Sequence, residues 1–216
     1  MSRPLAFVSD FDGTISADDF FTLAAARYFD DAMLAPWRAY QAGEKKHFDA
    51  LNEMFQQLKN LPDLESFTKS IAIDSCFPET AELCRRKRIP LYICSAGCDW
   101  YINLLIGTII RENHICLVTN HCDYSPKTGL VMARLPQNHP CYDDEIGISK
   151  AGVVRQLKEQ GFRVVFAGDG KPDILPAREA DVVFAKKKLL ELCCQEDIPT
   201  ENFASFADIY RYLKEN

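Results

Sequence analysis

Nothing in this chain is patterned to cross a membrane or to grip nucleic acid. No apolar run approaches the roughly 20 residues a spanning helix needs. The run Leu5-Ala6-Phe7-Val8 is too short for the core of a secretory signal and leads straight into aspartates. Lys and Arg number 25 against 31 Asp and Glu, a net charge of -6, which argues against a polyanion as the main partner. No Gly-x-Gly-x-x-Gly follows the first apolar run, so a dinucleotide fingerprint is missing. The nine cysteines contain no Cys-x-x-Cys pair, and His47, His114, His121 and His139 are not spaced as a metal pair. Repeats and low-complexity tracts are absent as well. What remains is a chain of 216 residues, 47% hydrophobic, enough for one sizeable core and a smaller subdomain. These exclusions point to a cytoplasmic protein with free thiols, a monomer or homodimer acting on a small molecule.

The stretch Asp10-Phe11-Asp12-Gly13-Thr14 stands out against that background. It ends a short apolar run that reads as a buried strand. Residues i and i+2 of an extended chain point the same way, so Asp10 and Asp12 can share one small volume. Two carboxylates there repel, and a divalent cation or a raised pKa on one of them relieves the repulsion. Gly13 and Thr14 follow with backbone N–H groups expected to be free for phosphate oxygens. An isolated Asp-x-Asp-Gly is also an ordinary turn, so the rest of the chain has to decide.

Residues 15–74 read as helical, with no convincing strand. Ser16 and Asp19 form a capping-box pattern before Phe20, Phe21, Leu23 and Ala24, and Phe48, Leu51, Met54, Phe55 and Leu58 recur at helical spacing. From about residue 75 strands and helices alternate. A buried strand at residues 89–94 stops at Ser95-Ala96-Gly97, a short strand covers 115–118, a hairpin lies between Asn120 and Leu135, and residues 136–147 form a loop. A helix opens at Ser149, and the strand at residues 163–167 stops at Gly168-Asp169-Gly170-Lys171-Pro172-Asp173. Lys186-Lys187-Lys188 reads as a solvated helix face. The alternation implies an α/β fold, a Rossmann-like, mainly parallel sheet core at 1–14 and 75–216, with 15–74 as an inserted helical cap.

In a parallel sheet the three polar strand ends lie along one edge, where open α/β folds hold their ligands. Lys150 joins them from the first turn of its helix, where a cation opposes the helix dipole unless an anion is nearby. The set suits phosphoryl transfer from a monoester. Asp10 is placed to attack phosphorus, and Asp12 to protonate the leaving oxygen and then deprotonate the hydrolytic water. Ser95, the N–H groups of Ala96 and Gly97, and Lys150 would hold the phosphoryl oxygens. Asp169 would complete an oxygen shell for Mg2+ with Asp10 and the Asp12 carbonyl, and Asp173 would orient that shell from behind.

The four motifs, Asp10 to Thr14, Cys94 to Gly97, Lys150, and Gly168 to Asp173, together resemble the haloacid dehalogenase superfamily of phosphatases, in its phosphoserine phosphatase-like branch. That resemblance covers essentially the whole chain and implies an aspartyl-phosphate on Asp10, Mg2+ as cofactor and a helical cap between the first two motifs. Within the superfamily the chain is similar to a methionine-salvage group. The Asp169 motif runs on through Pro176, Ala177, Ala180, Asp181, Val183, Phe184 and Ala185, though Cys141 stands alone where that group often carries a cysteine-rich stretch. The substrate expected from this likeness is the methionine-salvage enol phosphate, with phosphoserine as the alternative. A phosphotransferase sharing the same intermediate and a non-catalytic phospholigand-binding module are the competing classes.

Overall fold

Hydrophobic alternation in the first strand sets up the architecture. The computed structural model describes residues 3–216. In β1 (Leu5–Ser9), Phe7 faces one core cluster while Ala6 and Val8 face another, and all three are fully buried. Only a strand covered on both sides does this. Four helices follow, α1 (Phe20–Tyr28), α2 (Ala35–Gln41), α3 (His47–Phe55) and α4 (Leu64–Lys69). Then come α5 (Phe77–Lys87), β2 (Leu91–Cys98), α6 (Asp99–Asn113), and the hairpin β3 (Cys116–Ser125) and β4 (Gly129–Ala133). A two-residue ladder, β5 (Tyr142–Asp143) with β6 (Gly147–Ile148), precedes α7 (Lys150–Glu159) and β7 (Arg163–Gly168). The chain closes with a 3-10 turn (Lys171–Asp173), α8 (Ile174–Glu179), β8 (Val182–Ala185), α9 (Lys187–Gln195), β9 (Glu201–Asn202) and α10 (Phe206–Glu215).

Seven strands make one sheet in the order β4-β3-β2-β1-β7-β8-β9, parallel throughout except for the β3–β4 pair. This is the expected Rossmann-like α/β core. One face is covered by α5, α6 and α10 through Phe77, Tyr101, Ile102, Phe206 and Ile209. The other is covered by α7, α8 and α9 through Val153, Val154, Leu157, Ala177 and Leu189. Each such large side chain contributes about 1.5–3 kcal/mol by leaving water, so the sheet is a rigid base for its carboxyl edge. Among the described residues no helix is long and apolar enough to cross a membrane.

Residues 15–74 are helical as anticipated, apart from an isolated bridge between Ser16 and Ile73 where the segment leaves and rejoins the sheet. Four local readings need correction. Asp19, not Ser16, caps α1, accepting from the Thr22 N–H at 2.7 Å, because Ser16 is drawn back into the Asp10 turn. The short strand and the hairpin arm after it are one long strand, β3, which pairs parallel with β2 through Asn120 and antiparallel with β4 from His121 onward. The 136–147 loop contains β5 and borders β6, which turn so that Glu145 caps α3: its Oε1 accepts from the His47 N–H at 3.0 Å and its carbonyl from the Phe48 N–H at 2.9 Å. Lys186 and Lys187 are not simply solvated, since their ammonium groups reach the carbonyls of Thr14 and Gly13 at 3.3 and 3.2 Å.

Candidate active site

The Asp10 turn is wound around one carbonyl. Past the end of β1 the Asp10 N–H still donates to the Ala167 carbonyl at 2.9 Å, and the Phe11 side chain is buried in the core. The Phe11 carbonyl then accepts the N–H groups of Thr14, Ile15 and Ser16 at 3.2, 2.8 and 3.0 Å. Gly13 sits at φ +72°, and a Cβ there would lie 2.3 Å from Asp169 Oδ2, so only glycine lets the first and last motifs approach. The expectation that the Gly13 and Thr14 N–H groups await phosphate is overturned: Gly13 donates to Ser16 Oγ at 3.2 Å and Thr14 to Phe11. The Thr14 hydroxyl instead donates to Asp169 Oδ1 at 3.4 Å.

Asp10 and Asp12 leave this turn into different environments. Lys150 Nζ donates to Asp10 Oδ1 at 2.6 Å and to Asp173 Oδ1 at 2.7 Å, with all three side chains at most 9% exposed. Burial opposes the charge on Lys150, but the two carboxylates outweigh it and raise its pKa. One ammonium between two carboxylates leaves a negative charge uncompensated. Burial, followed by the charge of Asp173, accordingly pushes the Asp10 carboxyl upward, while Lys150 pulls it back. Asp10 Oδ2 has no hydrogen-bond partner among the described residues.

Asp12 is held by three donors. Phe20 N–H reaches Oδ1 at 3.1 Å, Ser95 Oγ reaches Oδ2 at 3.1 Å, and the Tyr101 hydroxyl donates to Oδ2 as well. Burial and then the nearby Asp19 carboxylate favour the neutral acid, the three donors favour the anion, and the balance falls at about 7. Burial, then Asp12 itself, holds the Tyr101 phenol well above its usual pKa, so it stays a donor. Its ring stacks on Phe20 with centroids 4.4 Å apart.

The second motif is a bulge rather than a strand end. The register of β2 against β3 shifts between Ser95 and Cys98, and the freed carbonyls of Ala96 and Gly97 are taken by Asn120 Nδ2 at 2.9 Å and Thr119 Oγ1 at 3.1 Å. A Cβ on Gly97 would sit 1.7 Å from the Tyr101 hydroxyl oxygen. The Gly97 N–H donates to Ser95 Oγ at 3.0 Å, so Ser95 links the bulge to Asp12.

Asp10, Asp169 and Asp173 each offer a carboxylate oxygen within 4.8 Å of the others. Asp173 is already spoken for, with Oδ1 on Lys150 and Oδ2 accepting the N–H groups of Asp169 and Gly170 at 3.1 and 2.9 Å. Asp10, with Oδ2 free, and Asp169, whose oxygens carry only the long Thr14 contact and the half-exposed Lys187, are the side chains more open to a cation, and hard oxygen donors around surplus negative charge fit a divalent ion. Lys187 Nζ rests 3.0 Å from Asp169 Oδ2.

These groups open on one cavity of about 130 Å3. Its polar lining is Asp10, Asp12, Asp19, Ser95, Lys150 and Asp169, with Ala96 and Gly97, and its aromatic and aliphatic lining is Phe21, Trp37, Leu51 and Phe55, joined by His47, from α1 to α3. Tyr101, Asp19, Trp37, His47 and Lys187 join the site without a motif of their own. Asp19 at nine residues after Asp10 and Tyr101 at six after Ser95 were the only signals available.

Two neighbouring carboxylates, one with its pKa raised to about 7, on the carboxyl edge of a parallel sheet fit the site of a phosphatase. The fold matches a substrate-bound phosphoserine phosphatase with a TM-score of 0.66 and 16% identity, covering 98% of this chain and 99% of that one. A probable phosphoserine phosphatase from Vibrio cholerae gives 0.70 at 17% identity, covering 98% of this chain and 64% of that one. No protein-family model matches the chain. A curated protein of Geobacillus thermodenitrificans named 2-hydroxy-3-keto-5-methylthiopentenyl-1-phosphate phosphatase is 30% identical over 227 residues, 99% of this chain and 97% of its own. One of the same name from Bacillus cytotoxicus is 30% identical over 95% of this chain and 94% of its own. The chain belongs to that phosphatase family.

Proposed function

We propose that the protein hydrolyses 2-hydroxy-3-keto-5-methylthiopentenyl-1-phosphate, the methionine-salvage enol phosphate, with Mg2+ and an aspartyl-phosphate on Asp10. The observation that carries the reaction is the pairing of Asp10, whose Oδ2 is unpartnered, with Asp12, whose carboxyl is balanced near neutrality. Asp10 Oδ2 attacks phosphorus, the bond from phosphorus to the ester oxygen breaks, and Asp12 gives that oxygen its proton. The resulting Asp12 carboxylate takes a proton from water, which attacks the same phosphorus, releasing inorganic phosphate and restoring Asp10. Lys150 holds charge beside Asp10 throughout. Mg2+ on oxygens of Asp10, Asp169 and the Asp12 carbonyl would neutralise charge on the phosphoryl oxygens.

The cavity wall supports the substrate. Phe21, Trp37, Leu51 and Phe55 suit an apolar thioether tail. The lining contains one cation, Lys150, already paired with two carboxylates, so no free cation there answers the carboxylate of phosphoserine. We assign residues 15–74 as the cap that brings this wall over a core of 1–14 and 75–216, and the free thiols suit a cytoplasmic setting. The test is phosphate release from a panel containing the enol phosphate and phosphoserine, with and without Mg2+ and with Asp10→Asn as control. Mg2+-dependent preference for the enol phosphate, lost in the variant, is expected. Preference for phosphoserine, or release that survives in Asp10→Asn, overturns the reading.

A further inference from the structure

His47 is the first residue of α3 and lines the same cavity as Asp10 and Lys150. Its backbone is pinned by Glu145, and its ring stands edge-on between Trp37 and Tyr40, with centroids 5.5 and 5.2 Å away. Burial, and next the charge of Lys150, lower its pKa to about 4, so the imidazole is neutral at physiological pH. A neutral imidazole has one N–H and one bare nitrogen. Nδ1 is buried with no hydrogen-bond partner. A proton there would be an N–H with no acceptor, whereas a proton on Nε2 leaves only a lone pair unmet. The tautomer that wastes less is Nε2–H, and Nε2 is then the polar atom of the ring left to meet a ligand. Its neighbours in the lining from α1 to α3, Phe21, Trp37, Leu51 and Phe55, are aromatic and aliphatic.

We propose that His47 is a specificity residue, whose Nε2–H donates to a carbonyl oxygen on the carbon chain of the substrate, between the phosphate ester and the apolar tail. This rests on the phosphatase reading and deepens it: the site selects keto phosphomonoesters over plain alkyl ones. The ring supplies no charge and takes no proton in the reaction, so its effect falls on binding.

The test compares 3-oxopentyl phosphate, with its ketone at the carbon that bears it in the proposed substrate, with pentyl phosphate, which differs in the ketone alone. Dissociation constants are measured by calorimetry in the Asp10→Asn protein, with and without His47→Phe, and turnover is measured separately in the protein with Asp10 intact. His47→Phe is expected to weaken the keto ester about tenfold and leave the alkyl ester unchanged, since one neutral hydrogen bond is at stake. His47→Asn, which keeps an N–H donor, should recover part of the preference. Equal weakening of both esters, no change in either, or no preference for the keto ester before substitution overturns the proposal. Keto-selective binding without turnover by the protein that retains Asp10 would leave His47 standing and remove the hydrolase reading instead.

Discussion

The phenol of Tyr101 donates its hydrogen to the same carboxylate oxygen of Asp12 that accepts from Ser95. A donor on that oxygen favours the ionised form, so Tyr101 lowers the Asp12 pKa that burial raises to about 7. Asp12 must carry a proton to protonate a poor leaving group, so kcat/KM for an alkyl phosphate should fall as pH rises through about 7. In Tyr101→Phe that alkaline limb should move to higher pH. For p-nitrophenyl phosphate, whose leaving group needs no proton, the limb should flatten. Coincident profiles for the two esters would contradict the role given to Asp12.

Lys150 lies between two buried carboxylates, Asp10 and Asp173. Lys150→Met leaves them facing each other, and removing one member of a buried ion pair typically costs about 3–5 kcal/mol. Urea unfolding in the presence of chelator should show a loss of that order. An unchanged midpoint would mean that the carboxylates are already neutral or apart.

Gly97 and Gly107 make a matched pair. Gly97→Ala places a methyl group where the Tyr101 hydroxyl lies, while at Gly107 in α6 the nearest atom is 3.4 Å away. Gly97→Ala should lose at least about tenfold in kcat together with the 1–3 kcal/mol typical of overpacking. Gly107→Ala should retain activity and gain about 0.5–1 kcal/mol as a helix-interior replacement. Full activity in Gly97→Ala would show that Tyr101 need not touch Asp12.

Lys187 rests on Asp169, a carboxylate assigned to Mg2+, so ion and ammonium compete for it. That lysine is half-exposed, and such a pair is worth about 0.2–1 kcal/mol. Calorimetry should find Mg2+ bound about two- to fivefold more tightly in Lys187→Met. Weaker binding would make Lys187 a support of the site rather than a competitor.

What could be read along the chain was what local chemistry fixes. The buried alternation of β1, the strand end at Gly168 and Lys150 at the head of its helix all depend on a few neighbouring residues, whereas Ser95 lies in a bulge inside β2 that spacing does not reveal; Asp10, Lys150, Asp169 and Asp173 lie together in the fold. The N–H groups of Gly13 and Thr14 were misjudged because Ser16 folds back on the turn, a side-chain choice that spacing does not reveal. Tyr101 sits in a helix where nothing in the local sequence marks it, and only the fold shows it fully buried against Phe20. Trp37, His47 and Asp19 reach the cavity only through the packing of α1 to α3 over the sheet edge. Lys187 looked like one of three solvated lysines until the fold brought α9 beside Gly13.

On the proposed route a phosphoryl group passes through Asp10. The most direct measurement is a rapid-quench experiment on Asp12→Asn with p-nitrophenyl phosphate and Mg2+, followed by intact and peptide mass. Losing Asp12 removes the base for the hydrolytic water but is no handicap to a leaving group that departs unprotonated. A burst of one equivalent of p-nitrophenol and one phosphoryl group on the peptide carrying Asp10 is predicted. Absence of both the burst and the adduct, with steady hydrolysis continuing, would contradict the covalent route.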